Sequence, residues 1–277
     1  MPKKFFAITV LVFVTVLSGC EKKQSYLDQL TDSAADSLNF VQIKTDTFFN
    51  SKQIISIVAI SQNSRDKFSL NFAYNRSALQ PTSSFAQEAN ALAAINGGFF
   101  NMDSGGNVTY FEVNDSVISR RRMPKLKWGI EDSIMTGAIV IKDDFDVVIE
   151  PVKSAAYYEA SQAESAVLVT GPLLLLQSQK KKLPNMKFTN NRHPRTCLCE
   201  SEASIALITI DGRSAQAAGM SLQELQSFLL DIGCIDAINF DGGGSTTMWL
   251  QEVGIVNNPS DKTGERPVAN TLLIMKK

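Results

Sequence analysis

Short apolar segments dominate this sequence, and most of them end at glycine, asparagine or aspartate. Residues 54–61 are mostly β-branched, and residues 68–74 alternate apolar with polar side chains. Runs of this length that are bounded by turn residues predict β-strands. Further strands are predicted at 93–95, 108–118 (a hairpin), 137–141, 145–149, 166–169, 173–176, 196–199, 204–210, 237–240 and 271–275.

The clearest helix lies at residues 221–232. Ser221 and Glu224 have the spacing of a capping box, and Gly233 is a typical left-handed stop. A shorter helix is predicted at 85–92. Because strands outnumber helices and many strands are adjacent in sequence, we expect an α+β fold, a single domain with a mixed β-sheet core flanked by helices.

Composition excludes several classes of protein. The chain has 277 residues, of which 44% are hydrophobic and 20% charged, which indicates a packed core rather than disorder. The formal net charge of −1 gives no basic bias, so no nucleic-acid partner is expected. The one histidine, His193, excludes zinc sites that need two or three imidazoles.

The first twenty residues are typical of an export signal. Lys3 and Lys4 precede an apolar run at 5–17, which is too short for a hydrocarbon core of about 30 Å that takes roughly 20 residues to span. Leu17-Ser18-Gly19-Cys20 resembles the lipobox of bacterial lipoproteins, in which the cysteine is acylated. An uncleaved anchor helix is the alternative.

This N-terminal pattern predicts three parts of the chain. Residues 1–19 are a lipoprotein signal peptide, residues 20–45 carry the lipidated Cys20 and a polar tether, and residues 46–277 form the domain. Glu21 follows the cysteine, which favours the outer membrane, facing the periplasm or the cell surface. The N-terminal lipid anchor is therefore the expected contact with a membrane.

Three further cysteines follow in the domain, and an exported protein can form disulfides. Cys197 and Cys199 lie two apart in a predicted strand, so both point to one face. Either could pair with Cys234. The alternative is that all three are small buried residues.

Two predicted strands end in similar glycine turns. One reads Asn96-Gly97-Gly98, and the other runs from Asn239 through Asp241 and three glycines to Ser245-Thr246-Thr247. Glycine lets the backbone approach a ligand closely, and successive amides can form an anion-binding nest. We expect a binding site for a phosphate or a polyhydroxylated sugar, although Gly-Gly pairs also occur in ordinary tight turns.

Six separated motifs occur in a specific order. They are Asn96-Gly97-Gly98-Phe99-Phe100, Thr170-Gly171-Pro172-Leu173-Leu174, His193-Pro194-Arg195-Thr196, Asp211-Gly212-Arg213, the loop from Asp241 to Thr247, and Glu265-Arg266-Pro267-Val268-Ala269-Asn270. This ordered set resembles the phosphodiester glycosidase family over roughly residues 50–277. Cys197-Leu198-Cys199 departs from the family pattern, where small non-cysteine residues are expected.

The resemblance implies cleavage of a sugar-1-phosphodiester into a free sugar and a phosphomonoester, on envelope or exopolysaccharide-type glycans. Arginine suits the phosphate, and carboxylates should flank the anomeric centre. The candidate catalytic residues are Asp241, then Asp211, then Glu112. The candidate substrate-binding residues are Asn96, Gly97, Gly98, Arg195, Asn239, Gly242, Gly243, Gly244, Ser245, Thr246 and Arg266.

The expected substrate is a sugar phosphodiester or glycan, with no cofactor and no metal site. Ca²⁺ or Mg²⁺ near the aspartates stays open, although no EF-hand spacing is present. Two other functions stay open. One is a non-catalytic glycan-binding envelope lipoprotein on the same fold. The other is a serine hydrolase using Ser245 and His193, which lacks the usual elbow because Thr247 replaces its last glycine.

Overall fold

The computed structural model describes residues 25–32 and 37–277. The predicted signal peptide and Cys20 lie outside the described residues. Of the segment predicted as a tether, a helix at Tyr26–Asp32 and a strand at Asn39–Thr45 are part of the fold. Leu27 is fully buried because the helix packs on the first β-sheet, so the ordered domain begins earlier than residue 46.

Seventeen strands and five α-helices make up the described chain. The helices are α1 Tyr26–Asp32, α2 Thr82–Glu88, α3 Ala155–Ala160, α4 Lys187–Asn190 and α5 Leu222–Ile232. The strands are β1 Asn39–Thr45, β2 Gln53–Ser61, β3 Phe68–Tyr74, β4 Ala93–Asn96, β5 Phe111–Val113, β6 Ser116–Ser119, β7 Gly137–Lys142, β8 Asp146–Pro151, β9 Ala166–Thr170, β10 Leu173–Leu176, β11 Gln179–Lys180, β12 Arg195–Glu200, β13 Ser204–Ile210, β14 Asp236–Asn239, β15 Met248–Leu250, β16 Gly254–Ile255 and β17 Asn270–Lys276. Short 3-10 turns lie at Phe48–Asn50 and Gly243–Ser245.

The strands form three sheets. The first has the order β1-β2-β13-β12-β14-β10-β11, the second β16-β15-β4-β17-β3, and the third β6-β5-β9-β7-β8. The α+β prediction is confirmed, although most of the regular structure is β. Every described strand pair is antiparallel, whereas the sequence predicted one mixed sheet. Some of these neighbours, such as β7 and β8, follow each other in a hairpin, whereas β2 with β13 and β4 with β17 pair across long stretches of chain.

Side chains from all three sheets meet in one central core. Leu207 comes from the first sheet, Ile95 and Leu272 from the second, and Phe111 and Leu168 from the third. Burial of this kind stabilises a fold by roughly 25 cal/mol per Å² of apolar surface. The sheets are therefore held as one body, and strand ends from different sheets can meet.

Helix α5 covers the opposite face of the first sheet, where Leu225, Phe228 and Leu229 pack against that sheet. Its predicted capping box is confirmed. The Ser221 hydroxyl accepts a hydrogen bond from the Glu224 amide at 3.2 Å, and the Glu224 carboxylate accepts one from the Ser221 amide at 2.9 Å.

A disulfide joins Cys199 of β12 to Cys234, which follows α5, with their Cα atoms 5.7 Å apart. Cys197 is buried and unpaired, so the pairing left open by the sequence is Cys199 with Cys234. Among the described helices, none is long and apolar enough to cross a membrane.

Candidate active site

The two glycine turns predicted from the sequence lie against each other. Asn96 ends β4 of the second sheet, and Asp241 follows β14 of the first. The Asn96 side-chain amide donates to the Asp241 carbonyl at 2.7 Å, and the Asp241 amide donates to the Gly97 carbonyl at 3.1 Å. Strand ends from two sheets are thus joined at one point.

The buried side chain of Asn96 connects two more segments to this point. Its Oδ1 accepts a hydrogen bond from the Thr196 hydroxyl at 2.7 Å and another from the Thr247 amide at 3.1 Å. Both Asn96 side-chain atoms are engaged within the protein. Its role in this structure is therefore to assemble the site rather than to present free groups to a ligand.

Gly97 allows Asn270 to approach the first turn. A Cβ on Gly97 would lie 1.8 Å from Asn270 Oδ1, so no larger residue fits there. The Gly98 amide donates to the same oxygen at 2.9 Å, and the Asn270 amide donates to Asn107 Oδ1. The motif that ends at Asn270 therefore joins the first turn, and Asn107 is a member that sequence reasoning missed.

Asn239 brings the cis Gly171-Pro172 turn to the second glycine loop. Its side-chain amide donates to the Gly171 carbonyl at 2.9 Å, and its backbone amide donates to the Pro172 carbonyl at 3.1 Å. Its Oδ1 is buried and has no protein partner among the described residues. The hydroxyls of Thr246 and Thr247 are buried and unpartnered in the same way.

Asp241 is the central carboxylate of this region and is partly exposed. Its Oδ1 accepts a hydrogen bond from the Gly242 amide at 2.9 Å, and its carboxylate also forms a hydrogen bond with the Ser245 side chain. Burial raises the pKa of Asp241 to about 6, against the lowering effects of these hydrogen bonds and of Arg266 and Arg213. A perturbed carboxylate that faces cations is typical of functional sites.

Arg266 lies on one side of the glycine loop. Its Nε donates to Asp261 Oδ2 at 2.7 Å, and its Nη1 lies 3.5 Å from the Ser245 hydroxyl. A Cβ on Gly244 would lie 2.2 Å from Arg266 Nη2, so the loop must be glycine here for the guanidinium to pack against it. The Asp261 ion pair fixes the direction of the guanidinium.

Arg213 lies on the other side of the loop. A carbon built on Gly243 would be 2.9 Å from Arg213 Nη2, and the same nitrogen lies 3.3 Å from His193 Nδ1. Unlike Arg266, exposed Arg213 has no carboxylate partner within salt-bridge distance among the described residues. The Asp211-Gly212-Arg213 motif is among the six that the sequence shows, but Arg213 is not among the predicted site residues.

His193 is held near the two neighbouring arginines. Burial lowers the pKa of His193, and the charges of Arg195 and Arg213 lower it further. Its imidazole is therefore neutral at pH 7, which lets Nδ1 accept the Arg213 N–H. No described hydrogen bond joins His193 to Ser245, whose hydroxyl is instead engaged with Asp241 and Arg266.

The sequence predicted Arg195 as a substrate-binding residue, but only its backbone lies beside the glycine loop. Its guanidinium is buried, with Nε donating to the Met220 carbonyl at 2.9 Å and Nη2 to the Phe188 and Asn191 carbonyls at 2.8 and 3.0 Å. Burial lowers the pKa of Arg195 to about 9. The side chain therefore clamps the segment around α4 and does not point into the glycine loop.

Asp211 supports the loop without facing Asp241. Its carboxylate accepts hydrogen bonds from the Asn258 amide and side chain at 3.1 and 2.7 Å and from the Asn257 side chain at 3.3 Å. Asn257 in turn donates to the Thr246 carbonyl at 3.0 Å. Burial raises the pKa of Asp211, while the hydrogen bonds from Asn258 and Asn257 lower it.

Glu112 is not brought to this site by any described contact. It lies on β5 beside Phe111, which faces the central core, so Glu112 points to the outer face of the third sheet. There the Tyr110 hydroxyl donates to its carboxylate. The predicted carboxylates are thus separated, with Asp241 in the loop, Asp211 behind it and Glu112 on another surface.

Other side chains engage two of the aspartates near the loop. Among the described residues, no group of three or more His, Cys, Asp or Glu side chains is placed to hold a metal ion. Asp211 is occupied by asparagine donors and Asp261 by Arg266. Ca²⁺ or Mg²⁺ near the aspartates, which the sequence leaves open, stays open.

Comparisons with known proteins agree with this arrangement of motifs. The model of the phosphodiester glycosidase family matches residues 89–275. Human N-acetylglucosamine-1-phosphodiester alpha-N-acetylglucosaminidase is 28% identical over 189 residues, which cover 64% of this chain and 35% of the human protein. The SPbeta prophage-derived uncharacterized protein YomE of Bacillus subtilis (strain 168) is 40% identical over 86 residues, covering 31% of this chain and 13% of YomE. The matched regions thus span about a third or less of these relatives.

Solved structures share the fold. The catalytic domain of the zebrafish N-acetylglucosamine-1-phosphodiester alpha-N-acetylglucosaminidase, auto-inhibited by its pro-peptide, has a TM-score of 0.65 at 17% identity, covering 87% of this chain and 83% of that one. A hypothetical protein from Synechocystis has a TM-score of 0.65 at 15% identity, covering 88% and 65%. With the family match over most of the chain, these findings show that this protein belongs to the phosphodiester glycosidase family.

Proposed function

We propose that this protein is a hydrolase that cleaves a sugar-1-phosphodiester into a free sugar and a phosphomonoester. One observation carries the proposal: the Asp241 carboxylate lies at a glycine loop flanked by Arg213 and Arg266. This places a negative group and two positive groups around one small space. A phosphodiester joined to an anomeric carbon needs both, because the phosphate is anionic and the ring becomes cationic in the transition state.

The arginines bind the phosphate in this mechanism. Guanidinium forks match phosphate oxygens and make charge-assisted hydrogen bonds. Arg213 has no carboxylate partner among the described residues, and Arg266 is held in place by Asp261. The guanidinium of Arg213 is therefore free of a competing carboxylate when it binds the phosphate, whereas that of Arg266 is held in one orientation by Asp261. The phosphate-binding role predicted for Arg195 passes to Arg213, because the Arg195 donors serve backbone carbonyls.

Asp241 faces the sugar side of the scissile bond. With a pKa of about 6 the carboxyl is mainly ionised at pH 7, so it can stabilise the positive ring or act on the incoming water. Ser245 and the Gly242 amide orient it by hydrogen bonds. Asp211 acts indirectly, through Asn257. The Asn257 side chain donates hydrogen bonds both to Asp211 and to the Thr246 carbonyl of the loop.

A single nearby carboxylate is sufficient for this leaving group. Ordinary glycosidases use a second carboxyl to protonate the departing oxygen. A phosphate departs as a stable anion, and the two arginines neutralise its charge, so a dedicated acid is not required. The separation of Glu112 and Asp211 from Asp241 is compatible with this chemistry.

The substrate class follows from the family and the predicted export. The human relative is named for an N-acetylglucosamine-1-phosphodiester, and a sugar phosphodiester in envelope or exopolysaccharide-type glycans is the corresponding substrate here. We propose that the enzyme is a lipoprotein anchored through Cys20 in the outer membrane, facing the periplasm or the cell surface. No cofactor enters the mechanism.

The test is release of free sugar from a panel of sugar-1-phosphodiesters and nucleotide sugars by the full chain, with and without a chelator. Asp241→Asn should abolish release, while Asp115→Asn, an exposed turn residue, should leave it unchanged. Undiminished turnover by Asp241→Asn would remove Asp241 from the mechanism. Carbohydrate binding with no turnover of any diester would favour the non-catalytic alternative.

A further inference from the structure

The N-terminal end of the ordered domain is attached far from the glycine loop. Helix α1 packs on the first sheet beside the hairpin between β12 and β13. The Asp28 carboxylate accepts hydrogen bonds from the Ser201 hydroxyl at 2.6 Å and the Ala203 amide at 3.2 Å, and the Thr31 hydroxyl lies 2.7 Å from that of Ser204. These three bonds fix α1 at the hairpin.

Ser25 is held at the same end of the domain. A carbon built on Gly233 would lie 2.1 Å from the Ser25 Cβ, so Ser25 lies against the C-terminal end of α5. Leu27, Asp28 and Thr31 are 0%, 6% and 1% exposed, respectively. The chain is therefore fixed to the domain at Ser25 and along α1.

The glycine loop lies at the opposite end of the same sheet. Strand β13 begins at Ser204, which contacts α1, and ends at Ile210, directly before Asp211. Strand β12 begins at Arg195 beside Gly242 and ends at Glu200 beside the hairpin. Six residue steps along β13 span about 20 Å at about 3.4 Å per residue.

Helix α5 gives the same separation independently. Its first residue, Leu222, follows closely after Met220, whose carbonyl accepts a hydrogen bond from Arg195. Its last residue, Ile232, is followed by Gly233, which lies against Ser25. Its eleven residues span about 16 Å at 1.5 Å per residue. Two strands and one helix thus run from the loop to the N-terminal attachment.

Only a short stretch of chain separates the predicted lipid from this attachment. Cys20 is five residues before Ser25, and five extended residues span at most about 18 Å. This reach is no greater than the roughly 20 Å between the attachment and the glycine loop, so turning the loop toward the bilayer would require the linker to lie fully extended along the side of the domain. The position of Ser25 therefore constrains the direction in which the loop faces.

We propose that the lipid anchor holds the domain with its glycine loop facing away from the membrane that carries it. The enzyme then acts on sugar phosphodiesters that extend beyond this surface, such as polymers or soluble diesters. Phosphodiester headgroups in its own leaflet are outside its reach. This inference rests on the proposed function and on lipidation at Cys20, and it narrows the substrate class of the same site.

The orientation is tested on the full lipidated chain in vesicles that contain nitroxide-headgroup lipids. One fluorophore is attached at Asp231→Cys, exposed near Ser25, and in a second protein at Lys262→Cys, exposed beside Asp261. Cys197 is buried, and the other two domain cysteines form the disulfide, so labelling is specific. We expect strong quenching of the Asp231 label and little quenching of the Lys262 label. Equal quenching of the two labels, or failure of the chain to float with vesicles, would overturn the proposal.

The substrate restriction is tested with two N-acetylglucosamine-1-phosphodiester probes, one with a soluble fluorogenic aglycone and one with a dialkyl aglycone inserted in the same vesicles. We expect hydrolysis of the soluble probe, and hydrolysis of the inserted probe at least tenfold slower in vesicles than in detergent. A flexible insert of twenty residues between Gln24 and Ser25 should restore hydrolysis of the membrane-inserted probe in vesicles, because the insert extends the linker by roughly 25 Å. Equal rates in vesicles and detergent without the insert would refute the restriction. Failure to hydrolyse either probe in detergent, together with no release of sugar from the panel of diesters and with the quenching pattern intact, would instead overturn the proposed function and support the orientation.

Discussion

Replacing Asp241 by asparagine should make the protein more stable above pH 6 while abolishing its activity. Burial raises the pKa of Asp241 from 3.8 to about 6, so the folded protein holds the proton more tightly than the unfolded chain. The contribution of the Asp241 carboxyl to the free energy of unfolding is therefore fully present below pH 3.8. It is lost as the pH rises through about 6. Asparagine stays neutral and can keep the hydrogen bond from the Gly242 amide.

The size of the effect follows from the pKa shift. At about 1.36 kcal/mol per unit, a shift from 3.8 to about 6 corresponds to about 3 kcal/mol. The partial exposure of Asp241 to solvent reduces this figure, so we expect a gain of about 1–3 kcal/mol at pH 8. For a domain of this size, the melting temperature should rise by roughly 3–10 °C.

Denaturant unfolding of both proteins between pH 4 and 8 measures the effect. The difference should be absent near pH 4 and develop between pH 4 and 7. Asp115→Asn, on an exposed turn, controls for the loss of one negative charge and should give no pH-dependent difference. An Asp241→Asn protein that is less stable than the parent at pH 8, or a difference of equal size at pH 4 and pH 8, would refute the reasoning.

Three further perturbations test other parts of the site and fold. Arg213→Ala should raise the KM for a sugar phosphodiester about 10- to 100-fold in steady-state assays, because a charge-assisted hydrogen bond contributes about 1.5–3 kcal/mol. Asp211→Asn should lower the free energy of unfolding by about 1–3 kcal/mol in denaturant titrations, since a carboxylate acceptor facing Asn258 is lost. Removing the disulfide by Cys199→Ala with Cys234→Ala should cost about 3–4 kcal/mol in the same assay, because the bond closes a loop of 35 residues.

Local features of the fold could be predicted from the sequence because they depend on neighbouring residues. The capping box of Ser221 and Glu224 and the stop at Gly233 are set within one or two turns of helix. The division into three sheets depends on pairing between distant strands, such as β4 with β17. That pairing has no local pattern, so the sequence predicted one sheet.

The direction of a side chain explains the main difference at the site. Arg195 and Thr196 are neighbours on β12 and point to opposite faces of the sheet. Thr196 donates to Asn96 at the glycine turn, so Arg195 must point away toward Met220 and α4. The motif identified the correct segment, but which residue faces the loop depends on strand register.

Arg213 was missed for a related reason. It lies after β13 in a turn, with a positive φ of 60°, where no strand or helix period predicts a direction. Asp211, two residues earlier, was predicted as catalytic because it is a carboxylate, but its oxygens accept hydrogen bonds from Asn257 and Asn258. Within this motif, Arg213 lies against Gly243, whereas Asp211 lies behind the loop.

The opposing influences on Asp241 also predict how its titration changes when substrate binds. Arg266 and Arg213 lower its pKa against the effect of burial. A phosphodiester bound by these arginines would neutralise their charge and add a negative charge of its own, so the pKa of Asp241 should rise above about 6 in the complex. Because the profile of kcat/KM reports the free enzyme and that of kcat the complex, the acidic limb of kcat should lie at higher pH.

Rates measured from pH 4.5 to 8.5 with one sugar phosphodiester test this displacement. Arg213→Ala should move the acidic limb of kcat/KM to higher pH, toward that of kcat. The free variant lacks the charge of Arg213, one of the two arginine charges that lower the pKa of Asp241. Arg65→Ala, which removes an exposed arginine paired with Asp146, should leave both limbs in place. If the two limbs of the parent coincide, or if Arg213→Ala moves the kcat/KM limb to lower pH, then the arginines do not control the Asp241 carboxyl and the proposed division of roles fails.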